Sequence, residues 1–347
     1  MKTDLVRFLR CPATRQPLQL EIISEQDGEI RDGELATVDG THRYPIRDFV
    51  PRFVGTTNYA DSFGLQWNRF RRTQLDSVSG IPISRDRFFR YSGWSPQELA
   101  GKRVLDVGCG AGRFAEVALQ AGANVVAVDY SSAVDACRAN LAPNERLEIV
   151  QGDVFSLPFE PGLFDYVYCF GVLQHTPNVE GAFRALPGQL KPGGKLAVDV
   201  YPWLFRNIAW SKYWLRPITR HMPAPVLFRI VEQLSPSMLA LSRAVSRIPK
   251  AGHYLRYLIP VASYDGVYNH TEEQLREWAV LDTFDMFAPA HDHPQRRSAL
   301  EKWLGESGLE DWSVTRMGFL VARGTKPHMP TESSMDAAQS AFARTGS

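Results

Sequence analysis

Long apolar runs are missing from this 347-residue chain. No stretch reaches the roughly 18 apolar residues that a membrane-crossing helix needs, and the opening MKTDLVRFLRCPATRQ carries too little apolar sequence for a secretory leader. Cysteine is scarce. Cys11, Cys109, Cys137 and Cys169 lie scattered without paired spacing, which argues against a disulfide framework and fits a reducing, cytoplasmic setting. Excess charge is absent as well: 39 Lys and Arg face 38 Asp and Glu, a net of +1, so wholesale nucleic-acid binding is not expected. There is no internal repeat. What is present is an ordinary globular composition, 44% hydrophobic and 22% charged, enough for a core of useful size.

Texture divides the chain. Residues 1–56 mix short β-like runs with turns at the Asp-Gly pairs 27–28 and 32–33, which predicts a small strand-rich unit. Residues 57–100 are aromatic and basic and read as a helical lid or linker. From Gly101 a βαβ alternation begins: RVLDVG, NVVAVDY, RLEIVQGD, FDYVYCFG and KLAVDVY are apolar runs separated by helical or loop segments. Phe114, Val117, Ala118 and Ala121 form one helical stripe that Gly122 can end in a left-handed cap. The expected fold is α/β, a doubly wound, mostly parallel sheet, because parallel strands need crossovers of one hand. This domain spans 101–325 and carries a helical insertion at 202–264. Thr271–Gln274 is a capping box that opens a helix, a second helix follows near RRSALEKWLGES, and two strands meet at Gly318. Residues 326–347, rich in Ser, Ala, Thr and Pro, read as a disordered tail.

VLDVGCGAGRF (104–114) is a strand, a glycine loop and a helix start. Gly108, Gly110 and Gly112 let the backbone approach a ligand, and the helix N-terminus offers unpaired N–H groups. A glycine loop alone also fits nicotinamide enzymes. Two details separate the readings. The dinucleotide pattern would put glycine at 113, where Arg113 stands, and a pyrophosphate would not favour the nearby Asp106, which suits a cationic ligand instead. Asp129 closes the second strand, placed to accept ribose hydroxyls, and Asp153 closes the third, placed to accept from an adenine amino group.

With these pieces in view, residues 101–201 resemble the class I S-adenosylmethionine (SAM)-dependent methyltransferases, close to the ubiquinone/menaquinone-biosynthesis type. The matching segments are LDVGCGAGRF, VVAVDYS, QGDVFSLPF, FDYVYCFGVLQH and LKPGGKL. The resemblance implies SAM as cofactor and a seven-stranded, mostly parallel sheet that the two terminal strands complete as an antiparallel hairpin. It implies that Asp106, Gly108, Cys109 and Gly110 contact the methionine part, Asp129 and Tyr130 the ribose, Asp153 and Val154 the adenine, and that Phe170 and Gly171 line the cofactor site. Cys109 reads as a small space-filler, with no base beside it to activate a thiol.

Methyl transfer to a neutral alcohol, phenol or amine needs a base near neutral pKa. His175, in the loop after the fourth strand, is the catalytic candidate. A second cluster, Asp282, Asp285, His291, Asp292 and His293, together with Trp203, is the candidate for a share of the acceptor pocket. No metal site is expected, since the two histidines lack a third distant ligand.

The segment 203–264 is the most individual. Nine Lys and Arg face one acid, Glu232, a net of +8, with aromatic residues interleaved. It fits an anionic acceptor or peripheral contact with an anionic membrane; a solvated helical face balanced by acids elsewhere is the other reading. The N-terminal RFLRCPATRQPLQL resembles a small zinc ribbon in degenerate form, because Thr14 stands where C-P-x-C needs its second thiol, so a metal-free structural unit is expected. The functional expectation is SAM-dependent methyl transfer to an O or N of a small-molecule or glycan- or lipid-linked acceptor. A SAM-binding partner module without transferase activity is the alternative, and a nicotinamide oxidoreductase follows behind it.

Overall fold

In a computed structural model, residues 1–55, 58–205 and 210–328 are described. The tail expected to be disordered falls almost wholly outside them. The chain opens with a four-stranded antiparallel sheet in sequence order: β1 (Gln19–Gln26), β2 (Glu29–Ala36), β3 (Arg43–Arg47) and β4 (Val50–Pro51). Of the two Asp-Gly pairs, only Asp27-Gly28 makes the turn; Gly33 lies inside β2, between Ile22 and Ile46. A Cβ there would come within 2.6 Å of the Glu21 carbonyl, so Gly33 serves close strand packing.

Four helices follow: α1 (Asp61–Arg69), α2 (Asp76–Ser79), α3 (Ile83–Ser92) and α4 (Pro96–Leu99). The alternation then runs β5 (Arg103–Val107), α5 (Arg113–Gln120), β6 (Asn124–Asp129), α6 (Ala133–Leu141), β7 (Leu147–Gln151), β8 (Phe164–Cys169), α7 (Val179–Ala185) and β9 (Leu190–Val200). Helix α5 ends as its stripe predicts, with Gly122 at φ +86° just past the last turn. The insertion supplies α8 (Ser211–Thr219), α9 (Ala224–Ser246) and α10 (Gly252–Leu255). After it come α11 (Glu272–Phe287), opened by the expected Thr271–Gln274 capping box, α12 (Arg297–Glu306), and the terminal pair β10 (Glu310–Met317) and β11 (Phe319–Thr325).

The second sheet has seven strands in the order β10-β11-β9-β8-β5-β6-β7. Strands β5 to β9 pair in parallel, and β11 closes antiparallel on β9, Leu320 facing Val200. The strand order reverses between β8, β5 and β6, so the loops after β5 and β8 diverge there and leave a crevice. Alternation along each strand feeds two cores. Leu105, Val107, Val126 and Val128 face one side with α7, α12 and the N-terminal sheet, while Val104, Val125 and Ala127 face the other with α3, α5 and α6. A third cluster joins α9 and α11 to Phe70, with Leu65 and Trp67 of α1 packed against it, and sets the insertion above the carboxyl ends of the strands.

Candidate active site

The glycine loop leaves β5 with Gly108 at φ +81°. Its N–H and that of Cys109 both donate to the Val128 carbonyl, at 2.7 and 3.0 Å, which binds the loop to the end of β6. A Cβ on Gly108 would meet Val172 at 2.2 Å; one on Gly110 would meet the Trp67 ring at 3.2 Å. Here glycine is required by both backbone conformation and space.

Asp129 ties the loops together. One oxygen accepts from the Gly110 N–H at 2.9 Å and the other from the Ser131 N–H and hydroxyl at 2.8 and 2.7 Å. Burial pushes this carboxyl up, and these hydrogen bonds oppose the shift. Asp106 lies deeper. It is buried, its Oδ2 finds no partner of good geometry among the described residues, and burial pushes it up to about 8, with the nearby Tyr168 hydroxyl acting against the shift. Asp153 caps the short 3-10 turn that follows it, accepting from the Phe155 N–H at 3.0 Å. Cys109 is buried, and contact with the Cys137 thiol followed by burial raises its pKa well above the ordinary value, as suits a space-filler rather than a nucleophile.

A cavity of about 890 Å³ opens over this loop. Of the residues singled out from sequence, Gly108, Cys109, Gly110, Asp129, Tyr130, Val154, Phe170, Gly171, His175 and Asp285 line it. Asp106 and Asp153 stand behind its wall, and Trp203, His291 and His293 are not among the lining residues. Trp203 is instead half exposed, with the Arg296 guanidinium 4.9 Å above its ring.

His291 acts through its backbone. Its carbonyl lies 3.1 Å from Nδ1 of His175. A carbonyl can only accept, so Nδ1 carries the proton and Nε2 holds the lone pair in the neutral ring. Burial lowers the His175 pKa below 6.5, only partly offset by Asp285 and Asp292, and so keeps the ring neutral at pH 7. Edge contacts with Phe63 and Tyr201, at 5.1 and 5.4 Å between ring centres, hold its plane.

The segment 57–100, expected as a helical lid or linker, supplies site residues that the sequence did not single out. Tyr59 lies against Tyr130, ring centres 4.8 Å apart; Asn58 donates to the Tyr130 carbonyl at 3.1 Å; and Phe63 and Trp67 of α1 cover the site. Asp282 on α11, part of the second cluster expected from sequence, lines the cavity, accepts from the Tyr264 hydroxyl, and is pushed by burial up to about 7.

Several cations line the cavity and already have partners, among them Arg71, which donates to Asn140 at 3.1 Å. Arg87 binds Asp199 at 2.6 Å, and Asp199 also accepts from the Gly171 N–H at 2.5 Å. Arg113 donates to Gln74 and Ser84. Lys212 is paired at 2.8 Å with Asp292, and Arg216 stands 3.9 Å from the same carboxylate. Two cations of the basic insertion thus point inward and share one carboxylate, Asp292, in the loop between His291 and His293.

Residues 105–198 match the family model described as a methyltransferase domain. This stretch is a methyltransferase domain. The cofactor of the domain is SAM, and the site fits it: the glycine cradle admits no side chain, Asp129 and Tyr130 stand at its rim, and the Asp106 carboxyl buried behind it has an oxygen without a hydrogen-bond partner among the described residues. The chain is similar to the sterol 24-C-methyltransferase of Schizosaccharomyces pombe, 33% identical over 237 residues, covering 66% of this chain and 58% of the other. It is similar to the ubiquinone biosynthesis O-methyltransferase of Xanthomonas euvesicatoria, 42% identical over 102 residues, covering 28% of this chain and 43% of the other. The chain therefore spans about half the length of these relatives. A solved structure from Methanococcus maripaludis, titled a putative SAM-dependent methyltransferase, overlays with a TM-score of 0.43 at 15% identity over 80% of this chain and 97% of the other.

Proposed function

We propose that the whole chain transfers the methyl group of SAM to an oxygen or nitrogen of a largely apolar small-molecule or lipid-linked acceptor. The observation that carries this reading is one cavity that joins the glycine loop, His175 and an aromatic chamber. That chamber is walled by Tyr201, Tyr264, Trp278, Met286 and Phe319. When bound, SAM supplies a methyl group on a sulfonium, open to in-line displacement. The protein's work is then to hold two reactants in line, exclude water and receive one proton. Asp106, Gly108, Cys109 and Gly110 would hold the methionine part, Asp129 and Tyr130 the ribose, and Asp153 and Val154 the adenine, with Phe170 and Gly171 lining the cofactor site. Nε2 of His175 takes the proton that an acceptor O–H or N–H loses as it gains the methyl group. Apolar walls and bound cations favour an acceptor whose reacting group is its polar end. The names of the two relatives, a sterol 24-C-methyltransferase and a ubiquinone biosynthesis O-methyltransferase, support a largely apolar acceptor, and the second supports oxygen as the atom methylated.

The test uses labelled SAM with phenolic, amine and lipid-extract acceptors, beside thermal melts with SAM, S-adenosylhomocysteine and NAD. Label transfer that disappears in Asp129→Ala, together with the melting shift by SAM, is the expected result. Stabilisation by SAM with no transfer to any fraction would make the chain a SAM-binding module, and stabilisation by NAD alone would overturn the cofactor reading.

A further inference from the structure

Helix α8 is turned inside out. Its polar side, Ser211, Lys212 and Arg216, is buried, whereas Trp214 and Ile218 are 58% and 70% exposed. Helix α9 buries Leu227, Phe228, Val231 and Leu239 against the protein, yet Val226, Ile230, Leu234 and Leu241 stand exposed on its other side. At about 100° per residue these four fall within roughly 80° of one another, a single stripe. An apolar stripe backed by an apolar buried face is stable only where something apolar covers it. Among the described residues no helix is long and apolar enough to cross a membrane.

We propose that this outer face of α8 and α9 docks on an anionic lipid surface, lying in the plane of the interface. Charge selects the occupant. Arg229 and Arg247 flank the stripe on one side, and exposed Arg220 and Lys250 extend the basic rim. The one acid of the insertion, Glu232, is paired with Arg69 at 2.8 Å. A second copy of the chain meeting this face about a two-fold axis would set like charges against each other. Anionic headgroups bring the opposite sign, while the acyl boundary takes the apolar side chains.

The position of the cavity gives the docking a purpose. Tyr254 lines the cavity and is also 73% exposed, so the cavity reaches the surface at α10, which packs on α9. A lipid-dissolved acceptor can thus enter without crossing water. This purpose rests on the methyl-transfer reading; the docking itself does not.

The experiment is flotation of the full chain with phosphatidylcholine vesicles and with vesicles carrying added phosphatidylglycerol, with SAM affinity measured on every variant. The wild type is expected to float with the anionic vesicles. R229Q with R247Q should weaken that binding about thirtyfold, from the worth of two cations at a charged surface. I218S with I230S and L234S should abolish it and leave SAM affinity unchanged. Failure of the wild type to float with either vesicle, or full binding by the triple variant, overturns the proposal. So does wild-type self-association that the triple variant abolishes, since a second copy would then cover the face. Loss of SAM binding with flotation intact would count against the methyl-transfer reading and leave the docking face standing.

Discussion

The pair Lys212–Asp292 joins the insertion to the loop that orients His175. Both side chains are buried, at 3% and 1% exposure, and lie 2.8 Å apart. Asp292 follows His291, whose carbonyl fixes the tautomer of His175. Replacing Lys212 by Met keeps most of the volume and removes the charge, leaving a buried carboxylate. Breaking a buried pair costs about 3–5 kcal/mol. Arg216, 3.9 Å from the same oxygen, remains to compensate in part, so the lower end, about 3 kcal/mol, is expected. Asp292→Asn alone should also cost, less because the Tyr201 ring lies 4.8 Å below the ammonium. The double variant should recover much of the loss, with a coupling of about 2 kcal/mol between neighbours. Urea denaturation followed by tryptophan fluorescence reads the cycle. A second readout is specific to the site: Lys212→Met should lower kcat and leave SAM affinity within twofold or so, as expected when a base loses its orientation. A single variant within about 1 kcal/mol of wild type, the range of an exposed pair, would refute the claim that this ion pair fastens the insertion to the catalytic loop.

Three further outcomes follow from the geometry. His175→Asn should reduce kcat by about 10²–10⁴-fold with SAM affinity retained, and the wild-type rate should fall on acidification with an apparent pKa below 6.5, because burial disfavours the charged ring; an unchanged rate in the variant would remove His175 as the base. For Asp282 the folded pKa, about 7, lies above the ordinary 3.8, so the folded state binds more protons, and stability is present at low pH and lost as pH rises through 7. Asp282→Asn should therefore exceed wild type in stability at pH 8, by at most about 4 kcal/mol, with the gap closing near pH 4; urea midpoints at the two pH values check it. Gly108→Ala should cost about 2–4 kcal/mol from its positive φ and the clash with Val172, and Val172→Ala added to it should restore only the part due to the clash, as thermal melts will show.

What could be read from sequence was whatever chain neighbours determine. The strand, glycine loop and helix start at 104–114 lie within eleven residues, and each step leaves a local mark in residue type or period. The same holds for the Thr271 capping box and the Gly318 turn. What could not be read depends on distant partners. Tyr59, Phe63 and Trp67 close the cofactor side, but an aromatic-rich helix carries no mark of which sheet edge it will cover. The hydrogen bond that makes Nε2 of His175 the basic nitrogen comes from a backbone carbonyl, and every residue has one. Helix α8 shows the limit most sharply. Its two sides, Lys212 and Arg216 against Trp214 and Ile218, were visible at helical spacing. Charge counting over 203–264 fits an anionic acceptor, an anionic membrane or a solvated face, and does not tell which side of this helix faces outward. The structure buries the basic side because Asp292, eighty positions along, supplies a buried counter-charge, and the buried pair turns the apolar side outward. Amphipathic spacing shows that a helix has two faces; which of them meets the protein is decided by the partner that awaits it.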